Sequence, residues 1–318
     1  MRNALVLLAL AGCGTAGMPA GPGADLAAPA GSDLAVAPGA RDMTTAMQGT
    51  PTVFTIVLEN QDYADIVGSP NAPYINSLIA RYGLATNYRD NAHPSMPNYL
   101  EMASGSTQGA SDDRGPTTAP FPVDADNLGS QLASAGIPWR SYQESMGAPC
   151  GLSSSGNYAP KHNPFVYFAN VQKGPNGLCE KAVVDYSQFA ADLAGGNYKY
   201  MWITPNLLDD GHNPTNDPVT GLKQSDAWCG REIPKLLASA QFQAGGILFL
   251  TWDEAEGRNG HDPDRIPMIV ITKNIKSAGF QPATAFDHSS YTATVEDLFG
   301  LPRLAGAKKA TSLAEFWK

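Results

Sequence analysis

The chain has 318 residues, of which 43% are hydrophobic and only 16% are charged. This length and apolar content allow one large domain or two, with enough apolar side chains for a sizeable core. The 30 acidic and 21 basic side chains give a formal net charge of −9. That balance argues against a nucleic-acid-binding protein, which would carry a basic patch. An anionic substrate would therefore need local neutralisation by a metal ion or by histidines.

The first residues have the pattern of an export signal. Arg2 precedes an apolar stretch at residues 4–10 that is too short to span a bilayer as a permanent helix. The sequence Leu10-Ala11-Gly12-Cys13 is similar to a bacterial lipobox, whose cysteine becomes the lipid-bearing first residue of the mature protein. We predict a lipoprotein signal peptide over residues 1–13 and an exported protein attached to the cell envelope through Cys13. An ordinary secretory signal, and hence a secreted protein, is the alternative.

Residues 14–50 consist mainly of Ala, Gly, Pro, Ser and Asp, with almost no aromatic side chain. Such a segment cannot bury enough apolar surface to fold by itself. It is interpreted as a disordered tether. The folded domain is then expected over residues 51–318, a length that suits one domain.

Three apolar runs in the folded domain each stop abruptly at polar residues. Residues 52–58 lead into Glu59-Asn60, residues 200–204 into the loop 205–212, and residues 247–252 into Asp253-Glu254. Continuous rather than alternating hydrophobicity indicates strands covered on both faces, as in a parallel sheet. Ligands of such sheets bind at the carboxyl ends of the strands, so these polar residues are predicted to form the functional site.

Helical patterns alternate with these strands. The predicted helices are residues 72–82, a helix that begins near Pro97, residues 126–136, 187–194, 227–239 with Ser225-Asp226 as its cap, and 289–300. Further strands are expected at residues 139–142 and 266–272. The alternation predicts an α/β fold with a mostly parallel central sheet and helices on both faces.

Three cysteines remain once Cys13 is set aside. Cys150 and Cys179 bracket a Gly, Ser, Asn and Pro-rich segment in which a cross-link would restrict a loop. An exported protein tends to pair its cysteines, so we expect a disulfide between these two. Cys229, beside Trp228 in a helical pattern, is predicted to be a buried free thiol.

The strand-end carboxylates are candidate metal ligands. Adjacent carboxylates behind an apolar strand repel each other and lose hydration, unless a cation or protons compensate. A metal role is therefore favoured over solvated loop acids for Asp253-Glu254. Glu59-Asn60 offers a carboxylate and an amide oxygen in an equivalent place, although a plain polar loop start is an equal alternative there.

Ser95 is the candidate nucleophile. It lies just before Pro97, at the start of a predicted helix, where free N–H groups and a partial positive charge would stabilise a phosphoryl group. A serine hydroxyl is a poor nucleophile unless a base or a metal ion activates it, and the carboxylate cluster offers that activation. The alternative is that Ser95 only caps the helix.

Four of the five histidines lie in loops beside Asp, Asn, Pro or Ser, which is hard to attribute to packing alone. These four are His93, His162, His212 and His288. The fifth, His261, is expected to be a surface loop residue. Asn206, Asp209 and Asp210 share the loop that carries His212.

Together these phrases resemble the phosphoesterase family that contains bacterial acid phosphatases and phosphatidylcholine-type phospholipases C, within the alkaline-phosphatase-like superfamily. The resemblance covers nearly the whole domain and keeps the family's order. Its stretches are Val57-Leu58-Glu59-Asn60, His93-Pro94-Ser95-Met96-Pro97-Asn98-Tyr99, Lys161-His162-Asn163-Pro164-Phe165, Thr204-Pro205-Asn206 with Asp210-Gly211-His212, Thr251-Trp252-Asp253-Glu254, and Asp287-His288-Ser289-Ser290.

The resemblance implies an alkaline-phosphatase-like catalytic domain that hydrolyses phosphate esters with one or two divalent metal ions. The implied metal ligands are Glu59, Asn60, Asp253 and Glu254. The implied catalytic residues are Ser95 as nucleophile with His93, His212 and His288, and the implied substrate-binding residues are Asn98, His162, Asn206 and Asp210.

A phosphomonoesterase of the acid-phosphatase type with a phosphoserine intermediate is the leading interpretation. Phospholipase C or another phosphodiesterase activity is the alternative among enzymes. A surface-binding lipoprotein on the same scaffold is the alternative outside them. A sulfatase is disfavoured because the Cys/Ser-x-Pro-x-Arg phrase is missing from the sequence, and an esterase because no Gly-x-Ser-x-Gly phrase occurs.

Overall fold

Eight strands build one sheet in the described part of the chain, which in this computed structural model comprises residues 49–212 and 217–318. In chain order the strands are β1 (Val53–Leu58), β2 (Gly83–Arg89), β3 (Trp139–Gln143), β4 (Val183–Asp185), β5 (Tyr200–Thr204), β6 (Ile247–Trp252), β7 (Arg265–Thr272) and β8 (Phe286–Asp287). Their spatial order is β4-β3-β5-β1-β6-β7-β2-β8. Strand β7 runs antiparallel to both of its neighbours, and every other neighbouring pair is parallel. The predicted mostly parallel sheet is confirmed.

The described residues all belong to one unit of the chain, Thr44–Lys318. The predicted signal peptide at residues 1–13 and the predicted tether up to residue 48 lie outside the described residues. Both stay predictions. No helix in the described part of the chain is both long enough and apolar enough to cross a membrane.

The continuous apolar runs form the centre of the sheet. Every residue of β1 and of its neighbour β6 is buried. Successive side chains of a strand point to opposite faces, so full burial means that both faces are covered. On one face, the Thr55 side chain hydrogen-bonds to the Tyr291 hydroxyl at 2.7 Å. Tyr291 lies in the last long helix, which therefore packs on this face.

The helices agree with most of the predicted segments. They are α1 (Tyr63–Ile66), α2 (Pro73–Arg81), α3 (Ser95–Ser104), α4 (Leu128–Ser134), α5 (Ala169–Gln172), α6 (Leu178–Ala182), α7 (Phe189–Gly195), α8 (Pro218–Leu237), α9 (Ala240–Gln243) and α10 (His288–Phe299). Helix α3 begins two residues before the predicted Pro97, so that Ser95 is its first residue. It ends at Gly105, which adopts the left-handed conformation that glycine permits.

The prediction for Asp226 was wrong in one respect. Helix α8 already begins at Pro218, with Asp217 as its cap, so Asp226 lies inside the helix rather than before it. Its carboxylate instead accepts hydrogen bonds from the backbone N–H groups of Tyr74 and Ile75, in the first turn of α2. Asp226 thus caps a different helix, which fixes α2 against α8.

The cysteine predictions are confirmed. Cys150 and Cys179 form a disulfide across a sequence separation of 29, with their Cα atoms 5.3 Å apart. Cys229 is a buried free thiol in α8, and burial raises the pKa of this thiol. The disulfide connects the loop before residue 151 to α6 and so restricts the segment that carries His162.

A buried carboxyl in α10 makes stability depend on pH. Glu296 accepts a hydrogen bond from the Leu304 N–H through Oε1, while its Oε2 and the Oε1 of Gln131 are buried with no hydrogen-bond partner among the described residues. Burial raises the pKa of Glu296 to about 7. The folded protein therefore keeps a proton on Glu296 that the unfolded chain releases near its ordinary pKa of about 4.3. As the pH rises from there through 7, stability falls.

Replacing Glu296 with glutamine is expected to remove the loss of stability at high pH, because the amide keeps an acceptor for the Leu304 N–H and carries no charge. Near pH 8 the free energy of unfolding should rise by roughly 1 to 3 kcal/mol, whereas near pH 4 variant and wild type should agree. Urea unfolding at both pH values measures the difference. Equal stabilities at pH 8 would show that Glu296 is ionised without cost in the folded protein.

Candidate active site

The carboxyl ends of the parallel strands bring distant polar residues to one edge of the sheet. Register pairs Leu58 with Trp252, so Glu59 and Asp253 follow their strands side by side. Asn60 links the two strand ends. Its backbone N–H donates to Asp253 Oδ1 at 3.1 Å, and its side-chain amide donates to Glu254 Oε1 at 2.9 Å. All four predicted metal ligands therefore lie together.

Asn60 adopts an unusual backbone conformation in this position. Its φ of 33° lies in the left-handed region, which few non-glycine residues adopt. Such strained residues cluster at functional sites, where the surrounding contacts hold them in place. Here those contacts are the two hydrogen bonds to Asp253 and Glu254.

Ser95 lies at the centre of this cluster. It is the first residue of α3, a helix in which every residue is buried. The Ser95 hydroxyl is within hydrogen-bonding distance of Glu59 Oε2 and of Glu254 Oε1, at 3.1 Å in each case. A single hydroxyl proton cannot serve both carboxylates at once, so the hydroxyl donates to only one of them. The predicted convergence of Ser95 with the strand-end carboxylates is present.

Tyr99 belongs to the cluster, although no role was predicted for it from the sequence. One helical turn after Ser95, its hydroxyl donates to Glu59 Oε1 at 2.5 Å. Its ring also stacks on the His162 ring, with centroids 5.5 Å apart. The i, i+4 spacing from Ser95 places both side chains on one face of α3 and is the signal that could have identified Tyr99.

Three of the predicted histidines surround the carboxylates. His162 is buried, with Nε2 3.2 Å from Glu59 Oε2 and Nδ1 3.8 Å from Asp210 Oδ2. His212 Nδ1 lies 3.7 Å from the same Glu59 oxygen, and its side chain is 37% exposed. His93 Nδ1 contacts Glu254 Oε2, on the other side of the cluster.

The structure does not bring three other predicted residues into hydrogen-bonding contact with the cluster's side chains. His288 is fully buried, with Nε2 bonded to the backbone oxygen of Asp253 at 2.6 Å and Nδ1 to the Tyr88 hydroxyl at 3.1 Å. The His288 ring therefore holds the backbone of Asp253 rather than its carboxylate. Burial lowers the pKa of His288 to about 4, so the ring is neutral there.

Asn98 and Asn206 also make local contacts in the structure. The Asn98 side chain accepts the N–H groups of Asn91 and Ala92 and donates to the Ala92 oxygen, which fixes the loop before α3. Asn206 donates to Ser145 and accepts from the backbone of the loop that follows β5. The substrate-binding roles of both residues, like the catalytic role of His288, stay predictions.

The cluster carries an excess of negative charge. Burial and the charge of Glu59 raise the pKa of Asp253, Glu254 and Asp210 above the ordinary range. Burial opposes ionisation of Glu59 as well, but the interactions with His162 and His212 outweigh it and hold the pKa of Glu59 well below its usual value. Glu59 is thus the carboxylate that stays ionised and makes its neighbours costly to ionise.

The donor set fits a divalent metal ion. Asp253 is completely buried, and its Oδ2 has no hydrogen-bond partner among the described residues. A buried carboxylate oxygen without a donor is destabilising unless a cation or a proton compensates its charge. Oxygen ligands from carboxylates and an amide suit hard divalent cations. Glu59, Asn60, Asp253 and Glu254 could hold such an ion together.

Two further groups of carboxylates and histidine lie next to this set. Asp90, His93 and Asp264 have potential ligand atoms within 4.8 Å of one another, and so do Asp62, Asp65 and His261. His261, predicted as a surface residue, is instead partly buried, with Nδ1 3.2 Å from Asp62.

Asp62 and Asp90 also hold the loop that follows Glu254. Asp62 accepts the backbone N–H groups of residues 256, 257 and 258 at 2.7 to 2.9 Å. Asp90 accepts the N–H of Ala255 at 2.9 Å. These two carboxylates therefore hold in place the backbone that directly follows Asp253 and Glu254.

The chain is similar in sequence to known phosphatases. A phosphatidylinositol-3-phosphatase from Mycobacterium tuberculosis is 30% identical over 270 residues, which are 83% of this chain and 82% of that protein. A probable acid phosphatase from Kluyveromyces lactis is 30% identical over 79% of this chain. The match covers 58% of that relative, so the chain spans little more than half of its length.

A similar solved structure shows the fold, and a family profile shows the family. A protein of the alkaline phosphatase superfamily from Vibrio parahaemolyticus is similar with a TM-score of 0.56 and 14% identity, over 80% of this chain and 67% of that chain. This likeness shows the fold alone. The profile of the Phosphoesterase family matches residues 68–302. The chain therefore belongs to the phosphoesterase family and is a hydrolase that acts on phosphoric ester bonds.

Proposed function

We propose that the protein is a metal-dependent phosphomonoesterase that works through a phosphoserine intermediate on Ser95. The observation that supports this proposal is the position of the Ser95 hydroxyl, 3.1 Å from carboxylate oxygens of both Glu59 and Glu254. A serine hydroxyl needs a base or a cation before it attacks phosphorus. Carboxylates accept protons and bind cations, so the Ser95 environment suits both kinds of activation.

The proposed first step transfers the phosphoryl group to Ser95. A bond forms between the Ser95 oxygen and phosphorus, while the bond from phosphorus to the leaving-group oxygen breaks. The hydroxyl proton passes to one of the two carboxylates that contact it. His212 is the proposed proton donor to the leaving group. It is partly exposed, and its contact with Glu59 raises the pKa of the imidazole.

The proposed second step releases phosphate. Water attacks the phosphoserine, the bond between the Ser95 oxygen and phosphorus breaks, and Ser95 regains a proton. His212, now neutral, is in place to accept a proton from that water. The partial positive charge at the start of α3 would favour the negative charge of the phosphoryl group in both steps.

A bound divalent cation would supply Lewis-acid stabilisation of the phosphoryl oxygens, held by Glu59, Asn60, Asp253 and Glu254. The unpartnered Asp253 Oδ2 supports this ligand set. His93 and His162 are proposed to bind oxygens of the substrate, because their rings face the same carboxylates as Ser95.

Phosphomonoesters are the proposed substrates, since the relatives described above are named as phosphatases. Phospholipase C or another phosphodiesterase activity is the alternative. Purified protein assayed with p-nitrophenyl phosphate, its bis ester and phosphatidylcholine separates these activities. A kcat/KM at least about tenfold higher for the monoester supports the proposal, and a preference for either diester would replace it with the alternative.

We also propose export and attachment to the bacterial envelope by a lipid on Cys13, on the basis of the lipobox-like residues 10–13. Changing Cys13 to serine is expected to move the protein from the membrane fraction to the soluble fraction of an expressing bacterium. Quantitative blotting of the two fractions measures the shift. An unchanged distribution would leave an ordinary secretory signal as the better interpretation.

A further inference from the structure

Lys161 lies within the active-site cluster, yet the proposed mechanism gives it no part. It precedes His162 in a short turn, Pro160–His162. Its ammonium group donates to Asp113 Oδ2 at 2.8 Å. The other oxygen of Asp113 accepts the backbone N–H of Met96 at 3.0 Å. One carboxylate thus connects Lys161 to the first turn of α3, directly beside Ser95.

The charge of Lys161 acts on the residues around Ser95. It contributes to the low pKa of Glu59, and it partly offsets the rise in the pKa of Asp210 and of His212. Burial disfavours the ammonium ion, but Glu59 and Asp113 outweigh that effect and raise the pKa of Lys161. Lys161 is therefore a positive charge held on Asp113, with 24% of its side chain exposed.

A buried atom without a partner indicates that the cluster is built for a ligand. Asp253 Oδ2 is buried and has no hydrogen-bond partner within the described residues. His162 Nε2 is also buried and lies 3.2 Å from Glu59 Oε2. A buried carboxylate oxygen needs a cation or a proton, and a phosphate ester bound with its metal ion would supply that cation.

The number of charges on the substrate distinguishes monoesters from diesters. Near neutral pH a phosphomonoester carries close to two negative charges, because its second pKa is about 6, and a phosphodiester carries one. In a site already rich in carboxylates, each additional negative charge requires a compensating cation. A lysine ammonium acts as a point charge on phosphate oxygens.

We propose that Lys161 binds the additional anionic oxygen of a phosphomonoester dianion, and that Asp113 is a positioning residue that holds the ammonium group beside Ser95. This inference rests on the proposed phosphomonoesterase function and adds the residue that selects monoesters over diesters. Asp113 supports Lys161 through one oxygen and the start of α3 through the other, so both groups keep a fixed place relative to Ser95.

Kinetics of four variants test the proposal. Lys161→Met should lower kcat/KM for p-nitrophenyl phosphate about 10- to 100-fold, the effect of losing one charge-assisted hydrogen bond, and should raise the inhibition constant of inorganic phosphate by a similar factor. Turnover of bis-p-nitrophenyl phosphate should change by less than about threefold, because that ester lacks the second charge. Lys161→Arg should recover part of the loss. Lys173→Met, an exposed lysine outside the site, is the matched control and should behave as wild type.

Asp113→Asn should raise KM for the monoester and the inhibition constant of phosphate, with a smaller change in kcat, because the amide holds Lys161 less firmly. Thermal melts of every variant establish that each is folded. An equal loss on monoester and diester, or an unchanged inhibition constant in Lys161→Met, would overturn the proposal.

Calorimetric titration with inorganic phosphate separates this proposal from the proposed function. If the wild-type protein hydrolyses neither p-nitrophenyl ester, the phosphomonoesterase assignment fails while phosphate binding still reports on Lys161. An affinity that falls about tenfold or more in Lys161→Met then supports the phosphate contact, and equal affinities in variant and wild type refute it.

Discussion

Replacing Ser95 with alanine is expected to lower kcat for p-nitrophenyl phosphate by at least about a thousandfold, as removal of a nucleophile does in other enzymes. The hydroxyl lies within hydrogen-bonding distance of the Glu59, Asn60 and Glu254 side chains rather than of the α3 backbone, so its loss leaves α3 in place. Steady-state kinetics measure the change in kcat, and circular dichroism with a thermal melt establishes that the variant is folded.

Ser104→Ala is the matched control, because Ser104 is a buried serine at the opposite end of α3. Its hydroxyl bonds to backbone oxygens and to Gln108, away from the carboxylate cluster. It should keep wild-type kcat with a modest loss of stability. Rapid acid quenching of the wild type followed by mass spectrometry should identify phosphate on the peptide that contains Ser95. Activity of Ser95→Ala close to wild type would rule out Ser95 as the nucleophile.

Changing Asp253 to asparagine is expected to reduce the divalent metal retained by the purified protein at least about tenfold, with a parallel loss of kcat. Asp253 is buried between Glu59 and Glu254, and its Oδ2 has no other partner among the described residues. Removing its charge weakens attraction for a cation more than it disturbs packing, because asparagine has nearly the same shape. Elemental analysis after dialysis measures the bound metal.

Melting temperatures in a chelator provide a second readout for the same variant. Without a metal ion, the wild type must bury Asp253 beside two other carboxyls, so Asp253→Asn should melt at a higher temperature than the wild type. With metal present the order should reverse. Asp297→Asn, which removes an exposed acid paired with Arg303, is the control and should keep its metal. Equal metal content in Asp253→Asn and wild type would exclude Asp253 as a ligand.

The strand-end residues could be predicted because their signal is local. A continuous apolar run that stops at a carboxylate indicates a buried strand and its polar end, and this holds for Glu59 and for Asp253. Parallel strands then bring such ends to one edge of the sheet, and the pairing of β1 with β6 places these two side by side. Ser95 could be placed beside them because a proline in the first turn indicates where a helix begins.

Other parts of the site depend on contacts between distant segments. Asp113 and Lys161 are 48 residues apart in the chain. Their pairing depends on how the two segments that carry them pack together. Asp226 has the composition of a local cap but serves α2, which is 151 residues away at Ile75. His288 was predicted to be catalytic and to lie in a loop, yet it begins α10 and its buried ring bonds to the Asp253 backbone. Neither periodicity nor local composition encodes such long-range partners.

The direction of the parallel strands gives the domain two unlike ends. The Val53 N–H donates to the Lys199 oxygen where β1 and β5 begin, and the chain enters the domain there. Ser95 and its carboxylates gather where the strands stop, and the six residues of β1 at about 3.3 Å each separate the two ends by roughly 20 Å. An ester therefore reaches Ser95 at the edge of the sheet opposite to the one at which β1 and β5 begin.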